Sequence, residues 1–248
     1  MIDYAAAEGV ARITLNRPEK RNALSGRMVA LLRETLQRAA GDATVRLVLV
    51  RAAGKDFCAG LDLGEVLQTE DSGGAETSAR NLADLYLGMR RHPKPIVAEV
   101  QGRALGGGAG LATACDLILA TESAQFGYPE VNLGFIPAIV TTMLRRAVGE
   151  RVAFELVVGA EPIGAEQARS VGLINRVYPD SEFESSVDRY VVSLAKKSAT
   201  AMSMSKSLLY QMDQMSFEAG LEAGVEANTR ARQSEDFKRG VERFLRKS

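Results

Sequence analysis

Gly102-Arg103-Ala104-Leu105-Gly106-Gly107-Gly108-Ala109-Gly110-Leu111 sets three successive glycines between an apolar run, Ile96 to Val100, and a run of small residues, Ala109 to Cys115. The first run reads as a strand and the second as a helix. A glycine turn between them leaves backbone N–H groups bare at a helix N-terminus, where they can hydrogen-bond a developing anion. A second glycine-bearing segment, Phe57-Cys58-Ala59-Gly60-Leu61-Asp62-Leu63, precedes this one, and an acidic segment, Phe126-Gly127-Tyr128-Pro129-Glu130-Val131-Asn132-Leu133-Gly134, follows it. The chain is organised around these three segments.

Two phosphate-binding readings of the triple glycine fail on a direct count. A dinucleotide fingerprint needs glycine where Leu111 stands, and no Lys-Ser or Lys-Thr follows for a P-loop. Two readings remain open. One is a plain tight turn; the other is a two-donor oxyanion hole built from both glycine turns and facing a later carboxylate, the combination that stabilises a thioester enolate. Glu130 is correspondingly either a solvated surface charge or a base whose pKa is raised by desolvation among Phe126, Val131, Leu133 and Phe135.

Other chemistries find no support in the residues. Cys58 has no base beside it in sequence and reads as a small buried thiol. The one histidine, His92, lies on the proline-rich connection His92-Pro93-Lys94-Pro95, and no Gly-x-Ser-x-Gly occurs, which disfavours serine hydrolysis. Asp116 reads as a helix-closing or structurally paired carboxylate, and Tyr128 as packed or as a hydrogen-bond donor in a pocket.

The 248 residues are 46% hydrophobic, enough to bury a substantial core, and we read one domain with a tail: a core over residues 1–190 and a helical segment over 191–248. Lys plus Arg and Asp plus Glu both total 31, so there is no basic excess to draw nucleic acid or anionic membranes. No run of eighteen apolar residues and no basic-then-apolar leader is present, so the expectation is a soluble cytoplasmic protein. Two cysteines and one histidine supply neither a disulfide framework nor a zinc ligand set, so no metal is expected.

Along the chain, Ala11 to Leu15 alternates as a strand, and Asn16-Arg17-Pro18 breaks it. Ser25 caps a helix marked by Met28, Leu31, Leu32, Leu36 and Ala39. Leu47 to Val50 is a buried strand, Thr69 to Ser78 a mobile polar surface loop that flanks the substrate, and Leu82, Leu85, Tyr86 and Met89 mark the next helix. Leu117 to Ala120 is a further strand, and from Thr141 onward the periods are helical. The last helix starts at Ser234 and carries Phe237, Val241 and Phe244.

Taken jointly and in order, these segments resemble the crotonase superfamily, the enoyl-CoA hydratase/isomerase family, over nearly the whole chain. The matching residues are Ile13 to Pro18 with Asn22-Ala23-Leu24, Phe57 to Leu63, Lys94 to Ala98, Gly102 to Gly108, Ala114-Cys115-Asp116, Ala124 to Gly127, Pro129-Glu130, Leu133-Gly134 and Ile136-Pro137. The resemblance implies an α/β fold, a spiral of repeated ββα turns with a C-terminal helical trimerisation segment, assembled as a homotrimer or a hexamer made of two trimers. It implies an acyl-CoA thioester as substrate, with no cofactor beyond the coenzyme A that the substrate carries.

The same resemblance places the oxyanion donors on the backbone N–H groups of Leu61 and Gly107 and the catalytic carboxylate on Glu130. It lays the coenzyme A arm along Ala59, Gly60, Asp62 and Leu63, puts Gly110 and Tyr128 at the acyl group, and brings Phe244 and Lys247 of the tail to the coenzyme. Gly110 is a departure, because typical hydratases carry a second glutamate there. One carboxylate that takes and returns a proton suits an isomerase, although it can also serve both steps of a syn hydration. The wording around Gly110 and Glu130 to Ala138 looks like bacterial hydratases of branched or dicarboxylic enoyl-CoA, including the methylglutaconyl-CoA type, so hydratase leads. Isomerase is the alternative, and a non-catalytic acyl-CoA-binding protein is the rival from another class. Glu99 is a second departure, expected to pair with Arg103.

Overall fold

The computed structural model describes residues 1–68 and 72–246. β1 (Ile2–Ala7) and β2 (Val10–Leu15) form an antiparallel hairpin turned at Glu8 and Gly9, both at positive φ. Ser25 then caps α1 (Gly26–Gly41) by accepting from the Met28 N–H at 3.2 Å, as its sequence implies. β3 (Leu47–Ala52) leads through the first glycine turn into α2 (Leu63–Gln68), and α3 (Ser72–Arg91) returns the chain to β4 (Ile96–Val100). The second glycine turn joins β5 (Arg103–Leu105) to α4 (Gly107–Thr113), followed by β6 (Leu117–Thr121), β7 (Gln125–Gly127) and a 3-10 turn at Pro129–Leu133 that holds Glu130.

The rest is mostly helical: α5 (Ala138–Val148), α6 (Glu150–Gly159), β8 (Ile163–Gly164), α7 (Ala165–Ser170), β9 (Arg176–Tyr178), α8 (Phe183–Ala195), α9 (Ala199–Gln211), α10 (Phe217–Gln233) and α11 (Glu235–Leu245). The helical periods read from Thr141 onward miss β8 and β9, which are too short to show a period of two. The expected loop at Thr69 to Ser78 is corrected as well. Residues 69–71 lie outside the described residues, but Ser72 to Ser78 are the first turns of α3. An i,i+4 ion pair, Glu76 to Arg80 at 3.0 Å, supports that exposed helical face.

Among the described residues, one sheet runs β1-β2-β3-β4-β6-β9, parallel from β2 onward, and a smaller one runs β5-β7-β8. Isolated bridges from Leu24 to Leu61 and from Cys58 to Ala104 extend the smaller layer. Successive turns of the chain thus add a strand to the large sheet and a short segment to the second layer, which is the expected spiral.

The large sheet is apolar on both faces, as a parallel sheet between helices must be. Val48, Val50, Ile96, Ala98 and Val100 pack with Met28 and Leu32 of α1 and Leu82 and Leu85 of α3. Leu47, Leu49, Val97 and Leu119 point the other way, onto Phe183, Val187, Val191 and Ala195 of α8. α8 therefore lies against the sheet along its whole length and runs across residue 190. Helix α9 is fastened by a half-buried cluster around the buried Lys206: its Nζ reaches Asp116 Oδ2 at 2.7 Å and the Met89 carbonyl at 2.9 Å, and the Tyr210 hydroxyl donates to Asp116 Oδ1 at 2.6 Å.

Candidate active site

The first glycine turn is pinned from two sides. Asn22, fully buried at positive φ, accepts from the Arg17 N–H at 2.8 Å and donates to the Ala53 and Asp56 carbonyls at 2.9 Å each. Leu24 N–H donates to the Gly60 carbonyl at 2.8 Å, and Asp62 N–H to the Leu24 carbonyl at 3.0 Å. From the other side Cys58 N–H donates to the Arg103 carbonyl at 3.1 Å and Leu105 N–H to the Cys58 carbonyl at 3.0 Å. Leu61 sits between these clamps with its orientation decided by them.

The two glycine turns abut. A Cβ on Gly60, which has φ +107, would meet the Leu105 carbonyl at 3.1 Å, so a side chain there is disfavoured by conformation and tight against backbone. Gly107 opens α4, where its N–H has no helical acceptor. Among the described residues, neither the Leu61 nor the Gly107 N–H donates to a protein group. Both are bare donors beside one cavity of about 280 Å³, which Leu61 and Gly107 line.

Glu130 lines the same cavity and is its one charged residue among the described lining. Its carboxylate stands over Gly106, which has φ +52: a Cβ there would lie 2.9 Å from Oε1. Oε2 is buried and has no hydrogen-bond partner among the described residues. Desolvation by the apolar wall, which includes Phe135, Ile136, Ile139 and Val140, raises the Glu130 pKa above the ordinary carboxylate range. Glu130 is therefore a desolvated carboxylate and not a solvated surface charge.

Gly110 is buried one helical turn along, and the space beside it is taken. A Cβ on it would lie 2.5 Å from Val140 Cγ2 and 2.8 Å from the Tyr86 hydroxyl. Tyr86 and Val140 are the neighbours that sequence reading missed; Tyr86 showed there only as an apolar mark on a helix. Tyr128 is fully buried, with its hydroxyl 3.5 Å from Thr113 Oγ1, and is not among the described residues that line the cavity.

Ala59 and Gly60 continue the pinned turn. Asp62 is ion-paired to Arg17 at 2.8 Å, and that hydrogen bond holds its carboxyl below the usual range. Leu63 starts α2 with an exposed side chain. Phe244 is exposed on α11 and is not part of the cavity wall, while Lys247 lies outside the described residues.

The remaining candidates separate from the site. Arg103 closes on Asp56, with Nε and Nη2 each at 3.0 Å from its carboxylate, so the expected Glu99 to Arg103 pair does not form. Strand alternation explains this, since it points Glu99 with Val97 toward α8. There it is buried near Arg12, Arg51, Glu184 and Asp188, and burial pushes its pKa up to about 7. Cys58 is buried and its thiol pushed up to about 12, too inert for a nucleophile. The His92 ring nitrogens lie 2.9 Å and 3.1 Å from the Lys94 and Leu36 carbonyls, a structural role.

The sequence profile of the family described as enoyl-CoA hydratase/isomerase matches residues 5–248. The chain is 34% identical over 239 residues to the 2,3-dehydroadipyl-CoA hydratase of Escherichia coli (strain K12), covering 96% of this chain and 92% of that one. Its fold matches the crystal structure of an enoyl-CoA hydratase of Mycobacterium smegmatis with a TM-score of 0.96 at 32% identity, over 99% of this chain and 96% of that one. It matches human enoyl Coenzyme A hydratase domain-containing protein 3 with a TM-score of 0.95 at 27% identity, over 99% and 97% of the two chains.

Proposed function

The chain belongs to the enoyl-CoA hydratase/isomerase family and has its crotonase fold, and from that premise we propose that it is an enoyl-CoA hydratase that works with Glu130 as its one acid/base. The observation that carries this reading is the desolvated carboxylate of Glu130 beside two bare N–H donors in one apolar cavity. The thioester oxygen of a 2-enoyl-CoA sits between the Leu61 and Gly107 N–H groups. Glu130 takes a proton from water, the resulting hydroxide adds to C3, and the C2=C3 electron pair moves onto the thioester oxygen as an enolate. Glu130 then returns the proton to C2 as the enolate collapses, so water adds to one face and the carboxylate is regenerated.

The cavity also bears on the acyl group. At about 280 Å³ it lies at the lower end of small-molecule pockets, and its wall is apolar apart from Glu130, Ser78 and backbone. A terminal carboxylate, as in methylglutaconyl-CoA or the dehydroadipyl-CoA of the Escherichia coli relative's name, would be buried with no cation among the described lining residues. A short or branched apolar acyl group fits the wall better. An adjoining cleft of about 390 Å³ shares Leu61, Val66, Ser78 and Leu82 with it, and we route the pantetheine arm there, past Asp62.

One observation favours a second reading. The space at Gly110 is filled, so no second carboxylate divides water activation from C2 protonation, and a lone glutamate suits transfer of a proton between C2 and C4 of an enoyl thioester. For assembly we propose a trimer or hexamer, supported by the stripe Phe217, Leu221 and Val225 on α10, exposed at 79%, 57% and 60%. Purified protein assayed against 2-enoyl and 3-enoyl thioesters of apolar, branched and dicarboxylic acids decides the reaction. Hydration of apolar 2-enoyl-CoA is the expected result; double-bond migration alone assigns the isomerase, and thioester binding without any turnover would sink the enzymatic reading.

A further inference from the structure

Tyr86 reaches from α3 into the start of α4. Its side chain is almost fully buried, and its hydroxyl donates to the Gly107 carbonyl at 2.7 Å. Gly107 lines the cavity with an N–H that donates to no described protein group, and it lies in a run of three glycines that no Cβ restrains. The first turn of α4 is also held by its own helix bonds, among them Gly110 N–H to the Gly106 carbonyl at 2.9 Å, and the hydrogen bond from a rigid, buried ring is a further tether on the Gly107 carbonyl and, through φ and ψ of Gly107, on its N–H. Burial holds the phenol well above its ordinary pKa, so it stays a neutral donor. It does not line the cavity.

The same hydroxyl and Val140 Cγ2 stand within 2.8 Å and 2.5 Å of where a Cβ on Gly110 would be. Any side chain at 110 would press on both with its first carbon. We propose that Tyr86 is a positioning residue with two effects: it sets the Gly107 N–H as an oxyanion donor, and with Val140 it closes the space through which a second carboxylate would enter the site. This rests on the enolate reading above. It gives that reading a structural cause, since the place where a side chain at 110 would begin is crowded by protein atoms.

Tyr86→Phe keeps the ring and removes the bond. The readout is the thioester C=O stretch of bound butanoyl-CoA, labelled with carbon-13 at the carbonyl, which is lowered by oxyanion donors whether or not turnover occurs. In Tyr86→Phe we expect about half or more of that lowering to be lost and kcat on a 2-enoyl-CoA to fall about tenfold, while Kd and KM change less than about threefold. An unchanged stretch, or a loss confined to KM, overturns the proposal and leaves Tyr86 as packing. If Tyr86→Phe does not fold, Gly110→Ala, whose Cβ presses on the same hydroxyl, gives the same readout. A wild-type stretch that is lowered without turnover on any enoyl-CoA removes the hydratase reading and leaves this one standing.

Discussion

The Glu130 carboxylate occupies the place where a side chain on Gly106 would begin, with Oε1 2.9 Å from the position of a Cβ there. The glycine is thus required twice, by its φ of +52 and by the base above it. Gly106→Ala should cost about 1 kcal/mol or more for the left-handed backbone and push the carboxylate off the reacting carbon. Kinetics should show kcat down by about tenfold or more, because small misplacements of reacting groups are expensive. Unaltered kcat would mean that Glu130 does not act from where it stands.

Gly110→Glu restores the residue type that typical hydratases carry, but not a second working carboxylate. Its Cβ meets Val140 Cγ2 at 2.5 Å and the Tyr86 hydroxyl at 2.8 Å, and overpacking of this kind costs about 1–3 kcal/mol. The thermal midpoint should fall and hydration should not rise. A faster enzyme of unchanged stability would show that the space is open.

Lys206 is buried and reaches Asp116, Met89 and Lys94 across the joint between α9 and the core. Lys206→Ala leaves Asp116 with the Ile96 N–H and the Tyr210 hydroxyl but no countercharge. Denaturant unfolding should show a loss of about 3 kcal/mol. A loss below about 0.5 kcal/mol would place the docking of α9 on its apolar contacts instead.

Glu99 is pushed from 4.5 up to about 7 by burial, with Arg12, Arg51, Glu184 and Asp188 around it. A carboxyl raised in the folded state contributes stability that is full below pH 4.5 and is lost as pH rises through about 7. Glu99→Gln should therefore leave the unfolding midpoint near pH 4.5 almost unchanged and raise it at pH 8. A parallel offset at both pH values would contradict this. Arg103 plays no part in the effect, because it is held by Asp56.

How far the sequence speaks depends on how local each cause is. The Ser25 cap and the β3 and β4 runs are written in adjacent residues and were legible, as were the three glycine and acid segments. The Glu99 to Arg103 pairing went wrong because strand alternation turns Glu99 to α8, and the partner of Arg103 comes from an earlier turn of the spiral. The start of α3 reads as a loop because its residues 75–78 are exposed and mostly polar. β5, β7 and β9 are each three residues long and carry no period. The absence of a carboxylate at 110 was plain in the sequence. That Tyr86 and Val140 fill its place was not, since they come from α3 and α5 and nothing in their spacing joins them.

The central claim is that Glu130 carries the acid/base chemistry alone, and Glu130→Gln tests it most directly, because it keeps the shape and removes the base. Hydration and double-bond migration should be measured beside acyl-CoA binding on the same protein. We predict a fall in kcat of about a hundredfold to ten-thousandfold with Kd changed less than about threefold, and, in the wild type, an acid limb of kcat above the ordinary carboxylate range because desolvation raises the Glu130 pKa. Turnover by Glu130→Gln within about tenfold of wild type would contradict the account and assign the proton to another group.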